Sequence, residues 1–262
     1  EIAPYDKGGD TYTALVAPQS VATGTAFITC KFTNGKVFVY KMKNDAEWKA
    51  GEEYTYTVSL AAAEDPGYTI EGDGSYTVTT ADGLKNVAKL VNEEGKTDIN
   101  ITLTGDINLT GEWTPIGNYE QKYTGTFDGN GKTISNLLIN NSSLCDAGLF
   151  GFTTNGEIKN VTVKNASVKG YLDVGVVAGT PYTSKYTNIT VCGDVYVNGY
   201  AYVGGVFGKN AYANLTDITV EVNEGSYVKA RSDAYRTYVG GVVGYNGAGS
   251  ASWARATRSY PL

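Results

Sequence analysis

"AYVGGVFG" (residues 201–208) returns as "TYVGGVVG" at 237–244, and looser copies stand at 173–179, "DVGVVAG", and at 146–151, "DAGLFG". Aligned on their last glycine, the copies put Gly151, Gly179, Gly208 and Gly244 at spacings of 28, 29 and 36. A second element accompanies them: "TISNLLI", "EIKNVTV", "KYTNITV" and "NLTDITV". Its fourth residues are Asn136, Asn160, Asn188 and Asp217, spaced 24, 28 and 29. Each unit reads as a strand carrying an Asn or Asp, a short strand such as "DVYVNG", and the glycine-rich strand. A period near 28 is what one coil of a parallel β-solenoid uses when turns join three short strands. Val, Ile and Leu then point inward and stack on their counterparts in the next coil. Glycine allows the backbone to bend where a Cβ would clash. Asn136, Asn160, Asn188 and Asp217 are expected to form one structural ladder, bonding along the axis. The competing fold is an antiparallel sandwich, which gives no reason for two elements to hold register over four units.

Upstream of the repeats, "TTADGLKNVAKLVNEEGK" (79–96) predicts the one helix of the chain. Leu84, Val87, Ala88 and Val91 fall at i, i+3, i+4 and i+7, giving an apolar face. Thr80 or Asp82 caps its start, and Gly95 supplies the positive φ that ends it. Such a helix would cover the first coil and hide an edge otherwise open to strand addition. Residues 11–60 predict four short strands, "TYTALVAP", "TAFITCKF", "KVFVYKM" and "EYTYTVSL". Asn34-Gly35 reads as a type I′ hairpin turn between the second and third. In the fourth, Tyr54, Tyr56, Val58 and Leu60 alternate with Thr55, Thr57 and Ser59, as in a half-buried strand. Asp65-Pro66-Gly67 and Gly72-Asp73-Gly74 read as linker signals. The boundary is therefore placed after residue 72, giving a β-segment over 1–72 and a helix-capped solenoid over 73–262.

The composition narrows the chemistry. Of 262 residues, 33 are glycine, none is histidine, and the net charge is −6. Without histidine, Ser-His-Asp and Cys-His catalysis and His-ligated metals are excluded. The acidic balance offers no basic stripe for nucleic acid. Cys30, Cys145 and Cys192 lie far apart and read as buried free thiols, with one bridge among them as the alternative. No run of about 18 apolar residues marks a membrane span. The start, "EIAPYDKGGD", carries no signal segment, so the chain reads as a mature or trimmed form. "DGNGK" (128–132) lacks the further carboxylates of a calcium loop and reads as a turn. Asp146, Glu157, Asp173, Asp194, Asp217, Glu221 and Glu224 are scattered, with no two expected at one position of adjacent coils. Neither a catalytic function nor a cofactor is expected.

Tyrosine is the remaining signal, with 21 copies. Counted back from the first Val of each glycine-rich element, Asp173, Tyr202 and Tyr238 share a column, and Tyr171, Tyr200 and Arg236 share another. Tyr196 alternates with Val195 and Val197, so it is expected to point outward. Tyr171, Tyr196, Tyr200, Tyr202 and Tyr238 are thus candidate ligand-binding residues, offering flat faces with hydroxyls. The competing reading, and the plainer one, is that stacked tyrosines only stabilise the exterior of the solenoid.

Two resemblances extend this reading. "GTFDGNGKTISNLLI" with "AGLFG", and "TNITVCGDVYVNGYAYVGGVFGKN", resemble GLUG-type repeats of bacterial surface proteins over roughly 110–249. "APQSVATGTAFITCKFTNGKVFVYKM", Trp48, "AGEEYTY" and "TVSL" resemble the closing strands of fimbrillin-like (Mfa-type) domains. The resemblance implies a secreted Bacteroidales-type adhesin or pilus protein, outside the cell and associated with the outer membrane. Its partners would be a host glycan, a host protein or other pilus subunits. A full fimbrillin domain has about twice the strands found before residue 72, so that half reads as incomplete. The tail "SASWARATRSYPL" lacks the Asn-bearing strand and reads as a cap, a donated strand or a truncation. A glycan-capture module and a polysaccharide-active enzyme stand as alternatives.

Overall fold

The computed structural model describes residues 2, 4–9, 11–32, 37–58, 65–231, 237–247 and 251–258. It is mostly β, with 54% of residues in strands, and holds a β-solenoid of about five turns. Two compact units divide at Pro66/Gly67.

Among the described residues the first unit holds three antiparallel pairs. Tyr5–Gly8 pairs with Thr11–Thr13, Gln19–Val21 with Ala46–Trp48, and Ala26–Lys31 with Val37–Lys41. Val21, Met42 and Trp48 form its core with Phe27 and Ala46 against them. Over the described part of the strand expected at 53–60, residues 53–58, no strand forms. Instead the Trp48 indole donates to the Tyr56 hydroxyl at 2.9 Å, and the Tyr56 ring meets Phe27 edge-on. The alternation places rings over a tryptophan rather than into a ladder. Ser59, Leu60 and the Asn34-Gly35 turn lie outside the described residues.

The second unit begins earlier than residue 73. Tyr68–Ile70 pairs antiparallel with Tyr76–Val78, which pairs in parallel with Ile101–Leu103 of the solenoid sheet. Gly72-Asp73-Gly74 is therefore a hairpin turn, with Gly74 at φ 87° and the Asp73 carboxylate accepting from Ser75 N–H. The helix spans Ala81–Asn92, and Thr80 caps it by accepting from Gly83 N–H. Leu84, Val87, Ala88 and Val91 are buried beneath it. Lys85 donates to the Thr110 carbonyl and Asn92 to the Pro115 carbonyl, which tethers the helix over the first coil.

Each coil has three faces. The long face stacks, all in parallel, Thr126–Asn140, Glu157–Lys169, Lys185–Gly199, then Asn214–Val222 with Tyr227–Ala230, then Ala251–Arg258. The second face stacks Asp146–Ala147, Asp173–Val174, Tyr202–Gly204 and Tyr238–Gly240. The third stacks Phe150–Thr154, Ala178–Tyr182, Phe207–Asn210 and Val243–Asn246. Inward residues form axial columns such as Phe127–Ile158–Tyr186–Leu215 and Ile134–Val163–Val191–Val220. Phe150–Ala178–Phe207 alternates large and small, and the ring of buried Tyr186 packs edge-on against Phe207, 4.9 Å away. The interior is thus filled by side chains, as close packing requires.

The repeated glycine now has its reason. A Cβ on Gly208 would run into the backbone of Asp173 and Val174, and one on Gly244 into that of Val203. The corners of the long face are made by asparagine, or in the fourth coil by aspartate. Asn130, Asn160, Asn188 and Asp217 have φ of 50°, 54°, 56° and 53°, the left-handed region that Asn and Asp tolerate best among residues with a Cβ. Asn188 donates to Asn160 at 3.0 Å, and Asn160 to Asp128 at 3.1 Å. Asn136 belongs to a different ladder from the one expected. Register pairs Ser135 with Lys164 and Leu137 with Ala166, so Asn136 faces Asn165. It donates to Asn108 at 2.6 Å. Two bends per long strand, not one, are therefore held by amides.

Gly208→Ala is expected to lower the unfolding free energy by about 3 kcal/mol through backbone overlap. Gly241→Ala, with open space at its Cβ, should change it by less than about 1 kcal/mol. Equal denaturation midpoints for the two variants would contradict the close-approach account.

Candidate functional site

The register places the candidate tyrosines in three groups on the outside of the coils. Tyr171 and Tyr200, joined by a Tyr200 N–H to Tyr171 carbonyl bond, stack at 5.2 Å with their planes 26° apart. The Arg231 guanidinium lies 5.9 Å from the Tyr200 ring. Arg236, expected in this column, lies outside the described residues. Tyr202 and Tyr238 are register partners and stack at 5.3 Å and 16°. Tyr245, from the third face, closes a cluster with both at 5.3 Å, and Lys209 sits 5.4 Å from the Tyr202 ring. Tyr196 stands on the long face beside Tyr227, at 5.3 Å and 52°. Its alternation with buried Val195 and Val197 does point it outward. Tyr227 and Tyr245 escaped the sequence reading. "YVKA" (227–230) aligned on "YVNG" (196–199) would have revealed the first.

The expectation that no two carboxylates share a position is overturned. Asp146 and Asp173 are register partners in adjacent coils, and Tyr202 and Tyr238 continue the same column. Thr180 Oγ1 lies 2.6 Å from Asp146 Oδ1 and 2.9 Å from Asp173 Oδ2. A threonine hydroxyl has one proton to give, so serving both oxygens at once calls for a proton on one carboxyl. Burial pushes the Asp173 carboxyl up to about 6, and the Asp146 charge adds to this, while the Thr180 bond and Lys209 act against it. Burial also raises Asp146. Asp173 Oδ1 is fully buried with no hydrogen-bond partner, which disfavours the charged form further. Cys145, next to the pair, is exposed rather than buried; partial loss of solvent around its sulfur, with the Asp146 and Asp173 charges, raises its thiol.

Other candidates resolve as structure. Asp128 of "DGNGK" accepts from Asn130 N–H and from Asn160, so it organises a bend. Among the described residues no three Asp, Glu, Cys or His gather as a metal site. Glu157 is bridged to Lys185 at 2.9 Å and to Lys159 at 3.3 Å, and these bonds hold its carboxyl below the usual range. Among the described residues no helix is long and apolar enough to cross a membrane.

Comparison with known proteins adds three findings. Residues 1–82 match a family model described as fimbrillin-like. Over 192 residues the chain is 35% identical to halomucin of Haloquadratum walsbyi, covering 67% of this chain and 2% of halomucin, so it spans a very small part of that relative. The fold is similar to that of a crystal structure described as "a putative immunoglobulin A1 protease from Bacteroides ovatus", at TM-score 0.50 and 18% identity over 76% of this chain and 71% of the other. At that identity the likeness shows the fold alone.

The acid pair gives a pH signature. Asp173 holds its proton more tightly in the folded chain, at about 6, than at the ordinary value of 3.8. That contribution to stability is complete below pH 3.8 and is lost as pH rises through about 6. Compared with Asp173→Asn, the wild type should lose about 3 kcal/mol across this window. Urea midpoints of the two proteins read this directly; a constant difference between them would contradict the shared-proton geometry.

Proposed function

We propose that the chain is a non-catalytic adhesion protein of the bacterial cell surface, serving as a pilus-tip or accessory fimbrial subunit. The observation that carries this reading is the stacking of outward tyrosines coil upon coil: Tyr171 on Tyr200, Tyr202 on Tyr238 and Tyr196 beside Tyr227. Aromatic rings with hydroxyls bind apolar faces and polar rims at once. A rigid solenoid repeats them at fixed intervals, which suits many weak simultaneous contacts. The fimbrillin-like match over 1–82 and the likeness to halomucin support placement at a cell surface. The partner is a host glycan or host protein, with other pilus subunits as assembly neighbours, and the function uses no cofactor. A second reading, polysaccharide hydrolysis by a carboxyl pair, is favoured only by Asp146 and Asp173. Their commitment to Thr180 and the burial of Asp173 Oδ1 weigh against it.

The test is a binding screen of the intact chain on a glycan array and a panel of host matrix proteins, with Tyr200→Ala/Tyr202→Ala and Tyr196→Ala/Tyr227→Ala alongside. Reproducible binding that falls about tenfold in one or other double variant is the expected result. Silence on both panels would overturn the adhesive reading.

A further inference from the structure

Three axial columns lie side by side on the long face. The middle one is Leu138–Ser167–Tyr196–Tyr227, fixed by register through four coils. Leu138, Tyr196 and Tyr227 are 37%, 37% and 41% exposed, high values for side chains of this kind on a regular sheet. Ser167, small and exposed, leaves a notch between Leu138 and Tyr196. On one flank runs Asn140–Lys169–Asn198–Lys229, in matching register. On the other runs the amide ladder that includes Asn108, Asn136, Asn165, Asp194 and Asn223, tied by Asn136 to Asn108 and Asn223 to Asp194 bonds. Two shallow hollows of about 340 and 330 Å³ open along the middle column. Leu138, Ser167 and Tyr196 line both. Asn136, Asn165 and Asp194 edge one, while Glu112, Asn140, Lys169 and Asn198 edge the other.

We propose that this track binds a neutral oligosaccharide chain lying along the solenoid axis, with sugar rings against Leu138, Tyr196 and Tyr227. The inference rests on the adhesive reading above and assigns its glycan to the long face. Coils repeat about every 4.8 Å, close to the length of one pyranose ring, so successive sugars meet successive rungs. Sugar rings have an apolar C–H face and a hydroxyl rim. The middle column supplies the apolar contact, and the amides on both flanks donate to and accept from hydroxyls. The 52° between the Tyr196 and Tyr227 planes suits a chain whose rings rotate from one unit to the next. Lys229 backs the Tyr227 ring at 4.3 Å, so it fixes that platform. The charges beside the track are Glu112 and Asp194 against Lys169 and Lys229, which cancel. With a whole-chain charge of −6, an acidic polysaccharide gains nothing here.

Calorimetric titration of the intact chain tests this, with soluble neutral oligosaccharides (gluco-, manno-, galacto- and N-acetylhexosamine series) and a uronate series as probes. Binding of a neutral series, little changed by salt, is expected. Tyr196→Ala/Tyr227→Ala and Ser167→Phe, which fills the notch, should each weaken it by about tenfold or more. Tyr182→Ala/Tyr212→Ala, an exposed pair off the track, should leave it intact, and Tyr202→Ala/Tyr238→Ala is titrated beside it. Three results would overturn the inference: binding of uronates alone, loss only in Tyr202→Ala/Tyr238→Ala, or no saccharide bound by a chain that still binds a matrix protein. The last two leave the adhesive reading standing, whereas silence toward every ligand removes both.

Discussion

The structure depends on the register between coils. A parallel solenoid lets each residue meet the same position one turn away, and one slipped residue would turn a whole strand inside out. Two devices hold that register. Asn130, Asn160, Asn188 and Asp217 turn the long strands through left-handed corners, and the Asn130, Asn160 and Asn188 side chains bond to the neighbouring coil. Gly208 and Gly244 allow backbone to approach backbone where any Cβ would intrude. With corners and close approaches fixed, the buried columns of Val, Ile and Phe fall into contact without further instruction.

Register also converts a linear sequence into surface chemistry. Residues 27 to 36 apart along the chain become neighbours about 5 Å apart in space. A tyrosine repeated once per coil becomes a stacked pair, and two aspartates become a pair of carboxyls around one hydroxyl. The helix at 81–92 closes the end at which the solenoid starts, so the first coil presents no bare apolar layer there. The functional argument therefore concerns columns, not single residues, and a column can be recognised only when the coil length is known at every turn.

Much of this was legible in the sequence, because the glycine-rich copies keep spacings of 28, 29 and 36 and the third-face register keeps the same intervals. The failures occur where coil length changes locally. Asn136 stood 24 residues before Asn160 instead of near 28. That mismatch was the signal that it belongs to the second bend, since Gly129–Gly131 bulges opposite Asn160. Asp146 and Asp173 were missed because the first copy, "DAGLFG", is one residue shorter than "DVGVVAG". Alignment on the last glycine shifts the two aspartates apart by that residue. In the first unit, alternation at 53–58 suggested a strand, but Tyr56 is drawn to Trp48 and Phe27 instead. A periodic pattern shows which side chains share a side, not what backbone partner is waiting for them.

The most direct test of the register is a disulfide trap in a background with Cys30, Cys145 and Cys192 changed to Ser. Ser167→Cys/Tyr196→Cys joins register partners in adjacent coils, at a separation within the range a disulfide spans. Ser167→Cys/Asn198→Cys is displaced by two residues along the strand. Rapid, complete oxidation of the first pair with none of the second is the predicted result. Equal oxidation of both, or preference for the second, would contradict the register on which the columns, and the function argued from them, are built.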